Sequence, residues 1–146
     1  MIHPTADVET EDIGEDTTIW RWTHISKGVT IGNSCMIGAN VYIGPNVTIG
    51  DNTRIQNNCF IPEGVTIGDN VFIGPGLMVT NDKFPPSDRV DKTVIEDGVV
   101  IGINTTIVAP VTITKNSKVG ASCVIRRDLD TTKIKPGKNV WLRGDW

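Results

Sequence analysis

Isoleucine, glycine, two turn-forming residues, a small or branched apolar residue and one variable residue recur without a slip from Ile31 to Val79. The units run IGNSCM, IGANVY, IGPNVT, IGDNTR, IQNNCF, IPEGVT, IGDNVF and IGPGLM, with a period of six. An amphipathic helix repeats its apolar residues about every 3.6 positions and an alternating strand every second one. Neither calls for a glycine after each sixth-residue isoleucine. A six-residue unit buries nothing alone, so successive units must stack and turn their isoleucines into one continuous ladder. That is a parallel β-helix. The residue two before each isoleucine (Cys35, Val41, Val47, Thr53, Cys59, Val65, Val71) shares its inward face, and the residue between points out. The glycine pairs that follow are expected to turn the corners, with glycine free to take positive φ and Asn or Asp tolerating it.

The pattern resembles the hexapeptide-repeat acyltransferases, whose left-handed β-helix has three flat faces and three hexads, about 18 residues, per coil. The resemblance implies an all-β, left-handed parallel β-helix of about six triangular coils. The ladder begins at Ile13 and runs through Ile19, Ile25, Ile31 and onward to Val79, then resumes at Ile95, Ile101, Ile107, Ile113, Val119 and Ile125. Between Val79 and Ile95 lie ten residues more than the period needs, within the polar, proline-bearing stretch TNDKFPPSDRV. They must leave the helix as a loop at one corner, and an ordered loop on a rigid scaffold is a usual place for function. The expected layout is a single domain, 1–146. Its coils cover about 8–79 and 93–129, the inserted loop about 80–92, and a cap over the open end 130–146.

Register sorts the outward residues by face. One column reads Asp12, Thr30, Thr48, Thr66, Val94, Thr112, and this face can meet water. A second reads His24, Tyr42, Phe60, Met78, Thr106, Val124, whose aromatics and methionine suit a subunit interface better than solvent. The third, Thr18, Met36, Arg54, Phe72, Val100, Lys118, is mixed.

A net charge of −3 offers no basic stripe for nucleic acid, and no apolar run approaches the ~20 residues that cross a membrane. The first residues lack a basic region followed by an apolar core, so the cytoplasm is the expected location. Three cysteines do not suit a disulfide framework. Cys35, Cys59 and Cys123 all fall on inward positions, as small hydrophobes would.

Three strings narrow the resemblance: IWRWTHI (19–25), DNTRIQNN (51–58) and FIGPGLMVTND (72–82). In register and in order, they resemble the bacterial N-acetyltransferases that acetylate the 3-amino group of UDP- or dTDP-linked amino sugars for surface polysaccharides. Those enzymes are trimers that use acetyl-CoA in clefts between subunits, so the resemblance implies a homotrimer, a nucleotide-linked amino sugar and acetyl-CoA as co-substrate.

By position, Asn81 matches the asparagine set against the sugar amine; its amide carbonyl can accept from the amine and orient the lone pair toward the thioester. A corner asparagine serving only the turn is the plainer account. His24 matches the second histidine of the family's string, and Arg21 replaces the first; an imidazole there is available as a base, or is simply part of the interface stripe. Gln56, Asn57 and Asn58 replace a glycine corner with three amides that sugar hydroxyls or the nucleotide would use, unless they form only a stacked amide ladder. Lys83 and Arg89 in the loop are placed for the diphosphate. For the coenzyme, the resemblance points to Gly102, Ala109, Gly120 and Ala121, whose small size admits a pantetheine arm, with Lys115, Lys118 and Arg126 for its phosphates. The C-terminal KIKPGKNVWLRGDW departs from the family's usual tail.

Two other functions compete. Transfer of acetyl to a hydroxyl of a sugar or of serine needs a general base, for which only His24 is at hand. A non-catalytic scaffold would leave the inserted loop without a purpose. A three-histidine metal site is not available, because His3 and His24 are the only histidines and no metal is expected.

Overall fold

The structure is a computed structural model that describes residues 1–129, so the expected cap 130–146 lies outside the described residues. Eighteen short strands, and no helix among the described residues, pair in parallel into three sheets that form the faces of a β-solenoid. The seven-stranded sheet stacks Asp7–Val8, His24–Ile25, Tyr42–Ile43, Phe60–Ile61, Met78–Thr80, Thr106–Val108 and Val124–Ile125. The six-stranded sheet runs from Thr18–Ile19 to Lys118–Val119, and the five-stranded sheet from Thr30–Ile31 to Val111–Ile113.

Coil stacking follows the hexad register. His24 pairs with Tyr42 and Tyr42 with Phe60. Thr66 pairs with Val94 across the insertion, so the ten extra residues leave the solenoid without shifting it. The solenoid has one more turn than the ladder suggested, because Asp7–Val8 pairs beneath His24–Ile25 and Ile2 bridges to Ile19. At the other end Leu129 bridges to Ile113. Val8 precedes Ile13 by five positions and Leu129 follows Ile125 by four, so strict six-residue counting stops short at both ends.

The ladder isoleucines from Ile19 to Ile73 are essentially fully buried, and the small inward partners lie beside them. Each such isoleucine contributes about 1.5–3 kcal/mol by leaving water. Coil-to-coil N–H···O=C bonds such as Gly32 N to Ile49 O at 2.9 Å and Met36 N to Thr53 O at 3.0 Å close the backbone.

The corners work differently from the expectation. Positive φ is taken not by the glycine after the isoleucine but three residues before the next one, at Asn40, Asn46, Asn52, Asn58, Asn70, Asn104 and Asn116, with Gly28, Gly64, Gly76 and Gly98 at the equivalent place. The glycine after the isoleucine is required for space. A Cβ on Gly50 would stand 2.8 Å from the backbone nitrogen of Asp69 in the next coil, closer than side-chain carbons approach. The Asn or Asp that follows that glycine also has a task. Asn33, Asp51 and Asp69, and Asp97 where Glu96 stands in place of the glycine, each accept, through Oδ1, a backbone N–H from the neighbouring coil at 2.7–2.8 Å.

Candidate active site

On the outer face of the seven-stranded sheet the aromatic column stacks in register. The His24 and Tyr42 rings lie 5.5 Å apart and 14° from parallel, and Tyr42 and Phe60 lie 5.0 Å apart and 12° from parallel. With Met78 they floor an open groove of about 490 Å³, walled by Trp22 and by Asn40 and Asn58. Trp22 takes φ 59° at its corner and is 64 % exposed, an unusual position for so large a ring. The Arg21 guanidinium carbon lies 5.6 Å from its ring centre, which stations a cation at the edge of the groove.

His24 is held on three sides. Its Nδ1 lies 2.8 Å from Asp7 Oδ2, its Nε2 lies 3.1 Å from Ser26 Oγ, and Tyr42 stacks on its ring. Neither Asp7 nor Ser26 is apparent from the hexads. Asp7 sits in the coil hidden by the five-residue step, and its in-register pairing with His24 is the signal that finds it.

Among the amides, Asn57 Oδ1 accepts from Ala39 N at 2.8 Å and Asn58 Oδ1 accepts from Asn40 Nδ2 at 2.9 Å. Both therefore take part in coil-to-coil ladders. Asn58 still borders the groove, and Gln56 makes no hydrogen bond through its side chain among the described residues.

Asn81 begins the inserted loop just after Met78–Thr80. Its Nδ2 donates to Glu63 O at 3.0 Å and its own carbonyl accepts from Asp91 N at 2.7 Å. These bonds fix the amide and leave Oδ1 with no hydrogen-bond partner among the described residues. Lys83 N donates to Asp91 Oδ2 at 2.9 Å, and Arg89 Nη2 meets Asp91 Oδ1 at 2.6 Å. The Lys83 N–H holds the Asp91 carboxyl below its usual range against the opposing effect of desolvation, with help from Arg89. The Lys83 ammonium lies 5.6 Å from the centre of the Phe84 ring. Both loop cations thus have partners within the loop.

Within one chain the expected residues are not brought together. His24 and the strand leading to Asn81 are three coils apart on the same sheet, roughly 14 Å at the strand spacing. Gly102, Gly120 and Ala121 continue the corner of Gln56, Asn57 and Asn58 in later coils, whereas Ala109 and Arg126 lie on the corner of Asn81. Stacking already demands a small residue at Gly102, since a Cβ there would stand 2.6 Å from Ala121 N. Ala109 is buried, and its N–H donates to Thr80 Oγ1 at 3.3 Å. Arg126 lines a hollow of about 370 Å³ with Arg127 and Leu129. Lys118 is exposed on the six-stranded sheet, and Lys115 borders a separate hollow with Thr66, Glu96 and Asp97.

Six-residue units stacked three to a coil define a hexapeptide-repeat protein. The family model for "bacterial transferase hexapeptide (six repeats)" matches residues 12–45, 28–63, 46–81 and 92–127, and the chain belongs to that family. It is 44 % identical over 148 residues to the dTDP-3-amino-3,6-dideoxy-alpha-D-galactopyranose 3-N-acetyltransferase of Aneurinibacillus thermoaerophilus, covering 99 % of this chain and 77 % of that one. It is also 46 % identical over 46 residues to the bifunctional protein GlmU of Rubrobacter xylanophilus, covering 32 % of this chain but only 10 % of that much longer protein. Among solved structures, a hexapeptide-repeat-containing acetyltransferase of Vibrio cholerae O1 biovar eltor, complexed with acetyl coenzyme A, superposes with a TM-score of 0.51 at 30 % identity. That match covers 70 % of this chain and 62 % of that one.

Proposed function

We propose that this chain is an acetyl-CoA-dependent N-acetyltransferase acting on the 3-amino group of a dTDP-linked amino sugar. It works as a homotrimer of left-handed β-helices with its sites between subunits. The observation that carries the substrate class is the near-complete, 44 % identical match to an enzyme that acetylates a dTDP-3-amino sugar. What supports the shared site is the three-coil separation of His24 from the loop residue Asn81, which keeps the two apart within one chain. The groove of Trp22, Tyr42, Phe60 and Met78 is then the apolar surface that the neighbour covers.

In this reading the Asn81 amide carbonyl accepts from the amine and aims its lone pair at the thioester carbon. The nitrogen forms the new C–N bond, the C–S bond breaks, and the amine proton passes by way of His24 to the departing thiolate. Gln56, Asn58 and Arg21 meet the sugar and its diphosphate. Lys83 and Arg89 approach the phosphates from the loop. The later coils, with Gly102, Ala109, Gly120, Ala121, Lys115, Lys118 and Arg126, carry the coenzyme contacts that the family resemblance implies. The test is release of coenzyme thiol with a dTDP-3-amino sugar against serine and an unlinked sugar. Turnover confined to the nucleotide-linked amine is expected; turnover with a hydroxyl acceptor instead would replace this assignment with O-acetyl transfer.

A further inference from the structure

Asp7 stands out because it is 72 % exposed yet lies 2.8 Å from an imidazole that two other groups already hold in place. An exposed ion pair contributes little to stability, and salt screens it, so stability alone does not explain the arrangement. Register explains how it is achieved: the parallel pairing of Asp7–Val8 with His24–Ile25 places the two side chains next to each other on one face of the sheet. A carboxylate oxygen only accepts hydrogen bonds, so the His24 nitrogen facing it must carry hydrogen. In the neutral ring Nε2 is then the bare nitrogen, and the buried Ser26 hydroxyl at 3.1 Å donates to it while the site is open.

We propose that Asp7 is the positioning residue for His24, fixing the Nδ1–H tautomer so that Nε2 presents the lone pair that takes the proton from the substrate amine. This rests on the acetyltransferase reading above. As the C–N bond forms and the C–S bond breaks, the amine proton moves to Nε2 and the Ser26 hydroxyl turns aside. The resulting imidazolium lies against the Asp7 carboxylate, and Nε2 then returns the proton to the coenzyme thiolate. Glu9, whose carboxylate lies within 4.8 Å of the same cluster, makes no hydrogen bond to the ring and is not required.

The first test does not depend on activity. In protein carrying 15N-labelled imidazoles, the two histidines are separated by His3→Gln, and neutral His24 is expected to show a protonated Nδ1 and a bare Nε2. In Asp7→Leu the two tautomers should mix. A wild-type His24 protonated mainly at Nε2, or a spectrum unchanged in Asp7→Leu, would overturn the proposal even if acetyl transfer is confirmed. The second test is kinetic: Asp7→Leu should lower kcat roughly 10- to 100-fold with the KM of both substrates unchanged. A loss expressed only in KM, or an unchanged kcat, would count against it. A wild-type enzyme that releases no thiol would sink the acetyltransferase reading while leaving the tautomer result intact.

Discussion

Thr93 carries a hydroxyl that the fold buries and does not use. Its side chain is 0 % exposed, and its Oγ1 is the one buried side-chain polar atom without a partner among the described residues. Its in-register neighbours above and below are Val65 and Val111, so a valine would continue an existing column without changing shape. Thr93→Val removes the desolvation penalty of an unpaired hydroxyl, about 1–3 kcal/mol, and forms no cavity. Thr53 is the internal control: equally buried, it donates to Gly68 O at 2.8 Å and accepts from Val71 N at 3.2 Å. Thr53→Val should therefore cost about 1 kcal/mol or more. In thermal unfolding at one fixed protein concentration, Thr93→Val is expected to raise Tm by roughly 2–6 °C and Thr53→Val to lower it by a similar amount. Equal shifts of the same sign, or a destabilised Thr93→Val, would refute the reasoning that hydrogen-bond satisfaction separates the two threonines.

The remaining expectations concern thiols, acid and association. Burial pushes the Cys35, Cys59 and Cys123 thiols above their ordinary range, so the folded protein should resist alkylation at neutral pH and react fully once denatured; rapid labelling of any of them in the native state would contradict their inward placement. The Asp91 carboxyl is held low in the folded chain, so its contribution to anchoring the loop is fully present above the ordinary carboxylate pKa of about 4 and is lost as pH falls further. Limited proteolysis of residues 82–90 should accelerate below that pH, and in Asp91→Asn it should already be fast at pH 7. Phe60 and Met78, 41 % and 46 % exposed in one chain, should become buried on assembly. In the proposed trimer, Phe60→Lys together with Met78→Lys is expected to shift sedimentation toward the monomer, and sedimentation unchanged from wild type would move the interface elsewhere.

Most of the fold is legible from one spacing. Isoleucine at every sixth place sets the inward ladder, the three outward columns and the exit point of the insertion, because a rigid repeat leaves register no freedom. What escaped were features that depend on contact between coils. The glycine after each isoleucine looks like a turn residue in the sequence and proves to be a spacer, since its neighbour lies about 18 positions away in the chain. Asn57 and Asn58 look like ligand-binding amides and also satisfy the coil below. Asp7 was hidden by a single missing residue between Val8 and Ile13. How the candidate site residues combine was not legible, because one chain keeps His24 and Asn81 three coils apart.

That separation offers the most direct test of the whole account. His24→Ala and Asn81→Ala proteins, each impaired in acetyl transfer, would be unfolded together, refolded as mixed oligomers and assayed for coenzyme thiol release with a dTDP-3-amino sugar. A site shared between copies predicts that the mixture exceeds either parent refolded alone, because some seams then hold an intact His24 facing an intact Asn81. A mixture no more active than its parents would place the reaction within a single chain and contradict the account.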